Sequence, residues 1–96
     1  QAIDLVIGVA SMTRSMAVEY APNKIRVNAI APSVTLSDRV KKLVQESPEI
    51  AKISEQHLLG FGMPIHMANM AVYLASDESE ITTGQILSVD SGVTIY

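Results

Sequence analysis

The sequence predicts an α/β fold and, more narrowly, the edge of a doubly wound parallel sheet. Residues 24–32 and 85–90 have the pattern of short strands, and helical patterns lie before the first strand and between the two. A strand, a helical crossover and a second strand form a parallel pair. Since two parallel strands do not make a stable sheet, we expect a unit that is incomplete as a stand-alone domain.

The first predicted elements are a helix and the strand that follows it. From Val9 to Tyr20 apolar residues recur at three-to-four spacing, as in an amphipathic helix. Pro22 ends this helix, and Asn23 tolerates the left-handed turn that leads onward. In the strand, apolar residues alternate up to Pro32, which cannot donate to the ladder.

Residues 36–62 form a helical excursion between the better-defined elements. Ser37 or Thr35 can cap a first helix, and Ser47-Pro48 has the pattern of a cap followed by proline at the first position of a second helix. Two glycines, at 60 and 62, close the excursion. Its composition indicates either an apolar lid over a small substrate or ordinary helix packing.

The last predicted elements are a helix over Pro64 to Ala75 and a strand over Gln85 to Asp90. The helix is apolar almost all round, which is typical of a helix covered on two sides. A short tail, residues 93–96, follows the strand.

The composition bounds the size, the partners and the compartment of the protein. Its 96 residues give room for one domain, yet 48% are hydrophobic and the mean hydropathy is +0.26. We infer that part of this apolar surface serves another chain or a missing part of the same one. The net charge of −3, the absence of cysteine and the lack of an apolar run of about 20 residues predict a soluble, cytoplasmic protein that binds neither nucleic acid nor membrane.

Four blocks of sequence carry a more specific signal, and they occur in a fixed order. They resemble the C-terminal portion of the short-chain dehydrogenase/reductase family, which are NAD(P)-dependent Rossmann-type oxidoreductases. The blocks are Thr13 to Pro22, Ile25 to Pro32, Leu74 to Ser79, and Thr83 to Gly92. The resemblance implies that the two strands are the last two of the Rossmann sheet. It also implies hydride transfer between an alcohol and a ketone, with NAD or NADP as cofactor.

The resemblance also shows what the chain lacks. The family has a glycine-rich dinucleotide loop and a catalytic Ser, Tyr and Lys, and here the Tyr falls on Ala2 and the Lys on Val6. Reduction of a carbonyl needs a proton donor for the developing alkoxide, which neither residue can supply. We therefore predict no catalytic residue in this chain and no activity of the chain alone.

The opening residues 1–8 allow two interpretations. They are a divergent or truncated start, or Ile3 to Ile7 resembles the family's fourth strand, with Gly8 to Ser11 in place of the turn that follows it.

The loop after the first strand is the predicted cofactor site. The family sequence there is Pro-Gly-x-x-x-Thr, its backbone meets the nicotinamide carboxamide, and its last hydroxyl contacts the cofactor. Pro32 matches, Ser33 replaces the glycine, Thr35 faces the carboxamide, and Ser37 replaces the threonine. The resemblance thus implies cofactor binding by these four residues. The alternative is that Ser37 only caps a helix.

Other candidate sites and partners complete the sequence-based expectations. Gly60-Phe61-Gly62 lacks the third glycine and the preceding strand of a dinucleotide loop, and His57 and His66 lack the spacing of metal ligands. The expected partners are a missing N-terminal half or homologous subunits, in a homo-oligomer. The alternative function is a non-catalytic truncated product that acts as a self-association or subunit-interaction module.

Overall fold

A computed structural model describes the backbone of residues 2–95 and the side chains of residues 8–95. Gln1 and Tyr96, the outermost residues of the predicted start and tail, lie outside this range. The predicted α/β class is confirmed. The elements in chain order are α1 (Ala2–Tyr20), β1 (Ala29–Pro32), α2 (Asp38–Glu46), α3 (Pro48–Lys52), α4 (Pro64–Ala75) and β2 (Ile86–Val89). Short 3₁₀ turns span Ala21–Asn23, Ile53–Gln56, Asp77–Ser79 and Val93–Ile95.

The two strands pair in parallel, as predicted. Ala29 lies opposite Ile86, and the register continues to Pro32 opposite Val89. Pro32 is the last residue of β1, where its missing N–H does not interrupt the ladder. Within residues 2–95 each strand has one neighbour, so each keeps one edge unpaired.

Strand β1 is shorter than the predicted segment 24–32. Before Ala29, hydrogen bonds from side chains take the place of the backbone bonds that would pair the two strands. The Asn28 side chain donates to the Thr82 carbonyl (2.8 Å) and accepts from the Gln85 N–H (3.1 Å). Gly84, at φ +70°, turns the chain just before β2 begins. The left-handed turn after α1 falls on Lys24 (φ 59°), so its placement at Asn23 was wrong.

Helix α1 begins at Ala2, seven residues before the predicted start at Val9. The interpretation of Ile3 to Ile7 as a strand is therefore wrong for this structure. A five-residue apolar run has no decisive period. Within residues 2–95 this segment has no neighbouring strand to pair with, so its backbone groups find their partners in the helix.

Serine side chains cap the N-termini of α2 and α3, the two helices of the excursion. Ser37 Oγ accepts from the Val40 N–H (3.3 Å) at the start of α2, and Ser47 Oγ accepts from the Ile50 N–H (3.4 Å) at the start of α3. Pro48 occupies the first turn of α3, where its missing N–H costs no hydrogen bond. The Ser47 cap was predicted from the sequence, and Ser37 was one of the two residues, with Thr35, predicted as the cap of α2.

The buried core of the chain is very small. Within residues 8–95 Ala17, on α1, is the one apolar side chain that is buried (5% exposed). The radius of gyration is 15.6 Å, whereas a compact domain of this length has about 12.5 Å. The accessible surface is 7212 Å², against roughly 5,400 Å² for a folded monomer of this mass. The chain is therefore less compact, and exposes more surface, than a folded domain of its size.

Arg26 joins the segment before β1 to the end of α4. Its guanidinium donates to the carbonyls of Leu74 (2.8 Å) and Ser76 (3.2 Å) and to Ser79 Oγ (2.5 Å). These carbonyls lie at the negative end of the helix dipole, where a cation is favourable. Ser79 is 1% exposed, and its hydroxyl lies within hydrogen-bonding distance of the Leu74 (3.0 Å) and Ser76 (3.1 Å) carbonyls, so Arg26 and Ser79 share the same acceptors.

Helix α4 has the predicted bounds but is not covered on two sides by this chain. Ile65 is 59% exposed and Val72 is 68% exposed. Within residues 2–95, no helix is long and apolar enough to cross a membrane.

Candidate functional site

Three segments meet at the carboxyl ends of the two strands. The first is the loop of residues 33–37 after β1, the second is the end of the excursion, residues 57–62, and the third is the turn of residues 90–92 after β2. In open α/β sheets, ligands bind in the crevice outside these strand ends. The structure therefore brings the predicted cofactor loop to the edge where a ligand is expected.

The loop after β1 is fixed by backbone bonds to Gly62. The Gly62 N–H donates to the Val34 carbonyl (3.0 Å), and the Leu36 N–H donates to the Gly62 carbonyl (2.7 Å). A Cβ on Gly62 would lie 3.1 Å from the Met67 Cε atom, so glycine permits this close approach. The pair of bonds makes the loop a continuation of the sheet edge.

The turn after β2 is tied to the same excursion. The Leu58 N–H donates to the Ser91 carbonyl (2.8 Å), and the Leu59 N–H donates to Ser91 Oγ (2.5 Å). Ser91 adopts a left-handed conformation (φ 55°), and Gly92 follows it with φ +81°. The excursion is thus held at both strand ends.

His57 connects the excursion to the predicted cofactor loop. Its Nε2 lies 2.5 Å from Ser33 Oγ, and its Nδ1 lies 2.9 Å from the Ile53 carbonyl oxygen. The ring is 5% exposed and packs edge-on against Phe61, with ring centroids 4.8 Å apart. The sequence pattern placed His57 or Leu58 inward, and the structure buries His57 while Leu58 is 56% exposed.

The four predicted cofactor residues lie on one continuous segment. Pro32 and Ser37 are exposed, and Ser33 and Thr35 are half-buried. Thr35 Oγ1 donates to the Ser33 carbonyl (3.3 Å), which steadies the turn. Among the described residues the non-glycine positions with positive φ are Lys24 and Ser91, so Ser33 replaces the family's glycine without backbone strain.

Ser37 caps α2, which is one of the two roles that the sequence allows for it. The cap uses a lone pair of Oγ, so the hydroxyl proton is still free to donate to a ligand. Capping and cofactor contact are therefore compatible at this residue.

We expect Ser37→Ala to lower the free energy of unfolding by about 1 kcal/mol, the usual cost of removing a serine cap. Urea denaturation followed by circular dichroism measures the change. Ser11→Ala, on the exposed surface of α1, is the matched control and should change little. Equal stability of the Ser37 and Ser11 variants would contradict the assignment of the cap.

Asp90 fixes the turn after β2. Its Oδ2 accepts from the Thr94 hydroxyl (2.6 Å) and its Oδ1 accepts from the Gly92 N–H (3.0 Å). The hydrogen bond from Thr94 lowers the pKa of the Asp90 carboxyl below its ordinary value of 3.8. A lowered pKa means that the ionised carboxylate stabilises the folded turn above the ordinary pKa, and that this contribution is lost as the pH falls through the lowered value.

Thr94→Val should raise the pKa of Asp90 back towards 3.8, because the strongest donor to the carboxylate is removed. Carboxyl-carbon NMR titration measures this pKa directly. A value that is unchanged in the variant would contradict the proposed cause.

His66, one of the two histidines considered as a metal ligand, lies in the first turn of α4. The Met63 N–H donates to His66 Nδ1 (2.9 Å). In the part of the chain that the structure describes, no three His, Cys, Asp or Glu residues cluster as metal ligands.

Comparison with known proteins identifies the fold and the family. A family model described as enoyl-(acyl carrier protein) reductase matches residues 7–94. The chain belongs to the short-chain dehydrogenase/reductase family. It is 41% identical over 88 residues to the 3-oxoacyl-(acyl-carrier-protein) reductase FabG of Thermotoga maritima, a match that covers 92% of this chain and 35% of the relative.

Solved structures of family members superpose closely on this chain. A short-chain type dehydrogenase/reductase from Mycobacterium ulcerans has a TM-score of 0.84 at 31% identity, covering 92% of this chain and 32% of that one. A 2-deoxy-d-gluconate 3-dehydrogenase homologue from Agrobacterium tumefaciens with bound NADP has a TM-score of 0.84 at 33% identity, covering 93% and 37%. The chain spans about a third of the length of the relatives it matches. The predicted Rossmann-type fold is confirmed.

Proposed function

We propose that the chain is the C-terminal portion of an NAD(P)-dependent oxidoreductase that interconverts an alcohol and a ketone by hydride transfer. The observation that carries this proposal is the position of the loop at residues 33–37, which follows β1 at the ligand-binding edge of a family fold. In this proposal the chain forms one wall of the cofactor pocket. We place the oxidoreductase in the cytoplasm.

Pro32, Ser33, Thr35 and Ser37 are the residues proposed to hold the nicotinamide cofactor. The unstrained backbone at Ser33 and the free hydroxyl proton of Ser37 support this role. Similar structures were solved with NADP, with NADPH and with NADH, so either cofactor is consistent with the family. The cofactor supplies the hydride, and this chain's loop residues bind and orient the nicotinamide ring.

The isolated chain is proposed to be inactive. The positions of the family's Tyr and Lys are Ala2 and Val6, which provide neither a proton donor nor a positive charge. Its partners in this proposal are the missing N-terminal half or homologous subunits. The unpaired edges of β1 and β2 support this view, since parallel strands are normally flanked by further strands.

The proposed inactivity is tested by measuring cofactor binding, since hydride transfer requires a bound nicotinamide. The isolated chain is titrated with NADH and NADPH, followed by nicotinamide fluorescence and calorimetry. We expect a dissociation constant above about 1 mM, because one wall of a pocket lacks most of the contacts that an enclosed site makes with its ligand. A submillimolar dissociation constant would contradict the proposal that the isolated chain is inactive. A full-length family member titrated in parallel shows that the assay detects binding.

The second candidate is a self-association or subunit-interaction module. The observations that favour it are the unpaired strand edges and the exposed apolar face of α4, with Ile65 59% and Val72 68% exposed. Sedimentation at increasing concentration separates the candidates. A well-behaved monomer at high micromolar concentration would rule out self-association, whereas it would leave the cofactor-wall proposal intact.

A further inference from the structure

Ser33 and His57 form a pair that hydride transfer does not need. Ser33 Oγ lies 2.5 Å from Nε2 of His57, although 24 positions separate them in the chain. A serine hydroxyl is a weak nucleophile unless an adjacent base accepts its proton. The first two parts of an acyl-transfer site are therefore in contact.

The hydrogen-bond network assigns the direction of this contact. The partner of His57 Nδ1 is the Ile53 carbonyl, which can only accept, so Nδ1 carries the proton in the neutral ring. Nε2 then presents its lone pair to the Ser33 hydroxyl, which donates. The carbonyl thus fixes the tautomer, as an orienting carboxylate does in a catalytic triad.

The imidazole is also held rigidly. His57 is 5% exposed and contacts the Phe61 ring edge-on at an interplanar angle of 72°. Ser33 is half-buried and directly follows the end of β1. Burial of the base and partial exposure of the nucleophile are what acyl transfer from a small molecule requires.

An apolar cleft of about 280 Å³ is lined by neighbours of the pair and not by Ser33 or His57 themselves. Phe61, which contacts His57, lines it, and so does Val89, which pairs with Pro32 immediately before Ser33. Leu59 and Met67 complete most of its apolar surface. A short apolar acyl chain fits this lining better than a charged group does.

We propose that Ser33 and His57 act as nucleophile and general base in acyl transfer from activated esters with short apolar acyl groups. Ser33 Oγ bonds to the acyl carbon, its proton passes to His57 Nε2, and the departing alcohol takes that proton as the ester bond breaks. Water then attacks the acyl-serine with His57 again accepting the proton, which returns to Ser33 Oγ as the acid is released.

The backbone next to Ser33 provides a donor for the charge that develops on the acyl oxygen. The Val34 N–H follows the nucleophile directly and donates to no acceptor among residues 8–95. The N–H after the nucleophile has this role in other serine hydrolases.

The test uses the full 96-residue chain, p-nitrophenyl butyrate and a fluorophosphonate probe. We expect turnover of the ester and a single phosphonylated residue, Ser33, located by peptide mass spectrometry. Ser33→Ala should abolish labelling, and His57→Gln should slow it by about 10²–10⁴-fold, the usual contribution of a general base. Ser11→Ala, which removes an exposed hydroxyl on α1, should label and turn over like the unmodified chain.

Labelling elsewhere, no labelling, or an equal rate in His57→Gln would overturn the proposal. Ser33→Cys keeps the test decisive if His57→Gln does not fold, because a base at 2.5 Å from the side chain should accelerate alkylation by iodoacetamide. Alkylation no faster than that of an unstructured cysteine peptide would also overturn it. The result is independent of the proposed oxidoreductase role, since no nicotinamide cofactor is present in the assay.

Discussion

Replacing Arg26 with methionine should lower the free energy of unfolding by about 2–4 kcal/mol, since hydrogen bonds from a charged donor contribute about 1.5–3 kcal/mol each and some of the acceptors regain water. Methionine keeps the length and apolar stem of the side chain but removes all three bonds to the end of α4. The positive charge at the negative end of the helix dipole is lost as well. Urea denaturation followed by circular dichroism measures the change.

Arg14→Met is the matched control for this substitution. Arg14 lies on the exposed face of α1, and a surface change of this kind usually alters stability by less than about 0.5 kcal/mol. Similar losses in the two variants would show that Arg26 contributes only as a surface charge, and would contradict the role assigned to it. Hydrogen exchange in the last turn of α4 gives a local check, because that turn should open first in Arg26→Met.

Replacing Gly84 with valine should have the second large effect, a loss of about 2–4 kcal/mol from a left-handed backbone and an overpacked contact together. Gly84 has φ +70°, and a Cβ there would lie 3.3 Å from the Ala17 Cβ. Ala17 is the buried apolar residue of α1 and has no flexible atoms that could move aside. The substitution should therefore separate α1 from the start of β2.

The variant Gly60→Val separates the cost of the left-handed backbone from the cost of the overpacked contact. Gly60 also has positive φ (+84°), but nothing lies within 4 Å of a Cβ placed there. It should show the backbone penalty alone, and the difference between the two variants, about 1–3 kcal/mol, is the contact with Ala17. An equal loss in both variants would show that α1 and Gly84 are not packed against each other.

Local patterns predicted those elements whose signals are contained in the chain itself. The bounds of α4, the serine caps at residues 37 and 47 and the parallel pairing follow from apolar spacing, side-chain capping and the connection between the strands. The predicted strand was too long because Asn28 takes over the backbone bonds of the Gln85 segment, a contact across 57 positions that no local pattern contains.

The candidate site was predicted in position but not in its contacts. The resemblance indicated the loop at Pro32 to Ser37, and the structure places that loop at the carboxyl end of β1. The pairing of Ser33 with His57 depends on how the excursion folds back, and the sequence signal for it was limited to an inward-facing position at 57 or 58. The start of α1 was misjudged because a short apolar run fits a strand and a helix equally well.

Grafting tests the central claim, that this chain is a competent cofactor wall without the family's catalytic Tyr and Lys. Residues 7–94 would replace the matching segment of the Thermotoga maritima reductase, which leaves the family's Tyr and Lys, aligned with Ala2 and Val6, on the relative's part of the protein. We expect the folded graft to bind NAD(P)H and to reduce a ketone, while the isolated chain does neither. A folded graft that fails to bind NAD(P)H, or an isolated chain that reduces a ketone by itself, would contradict the account.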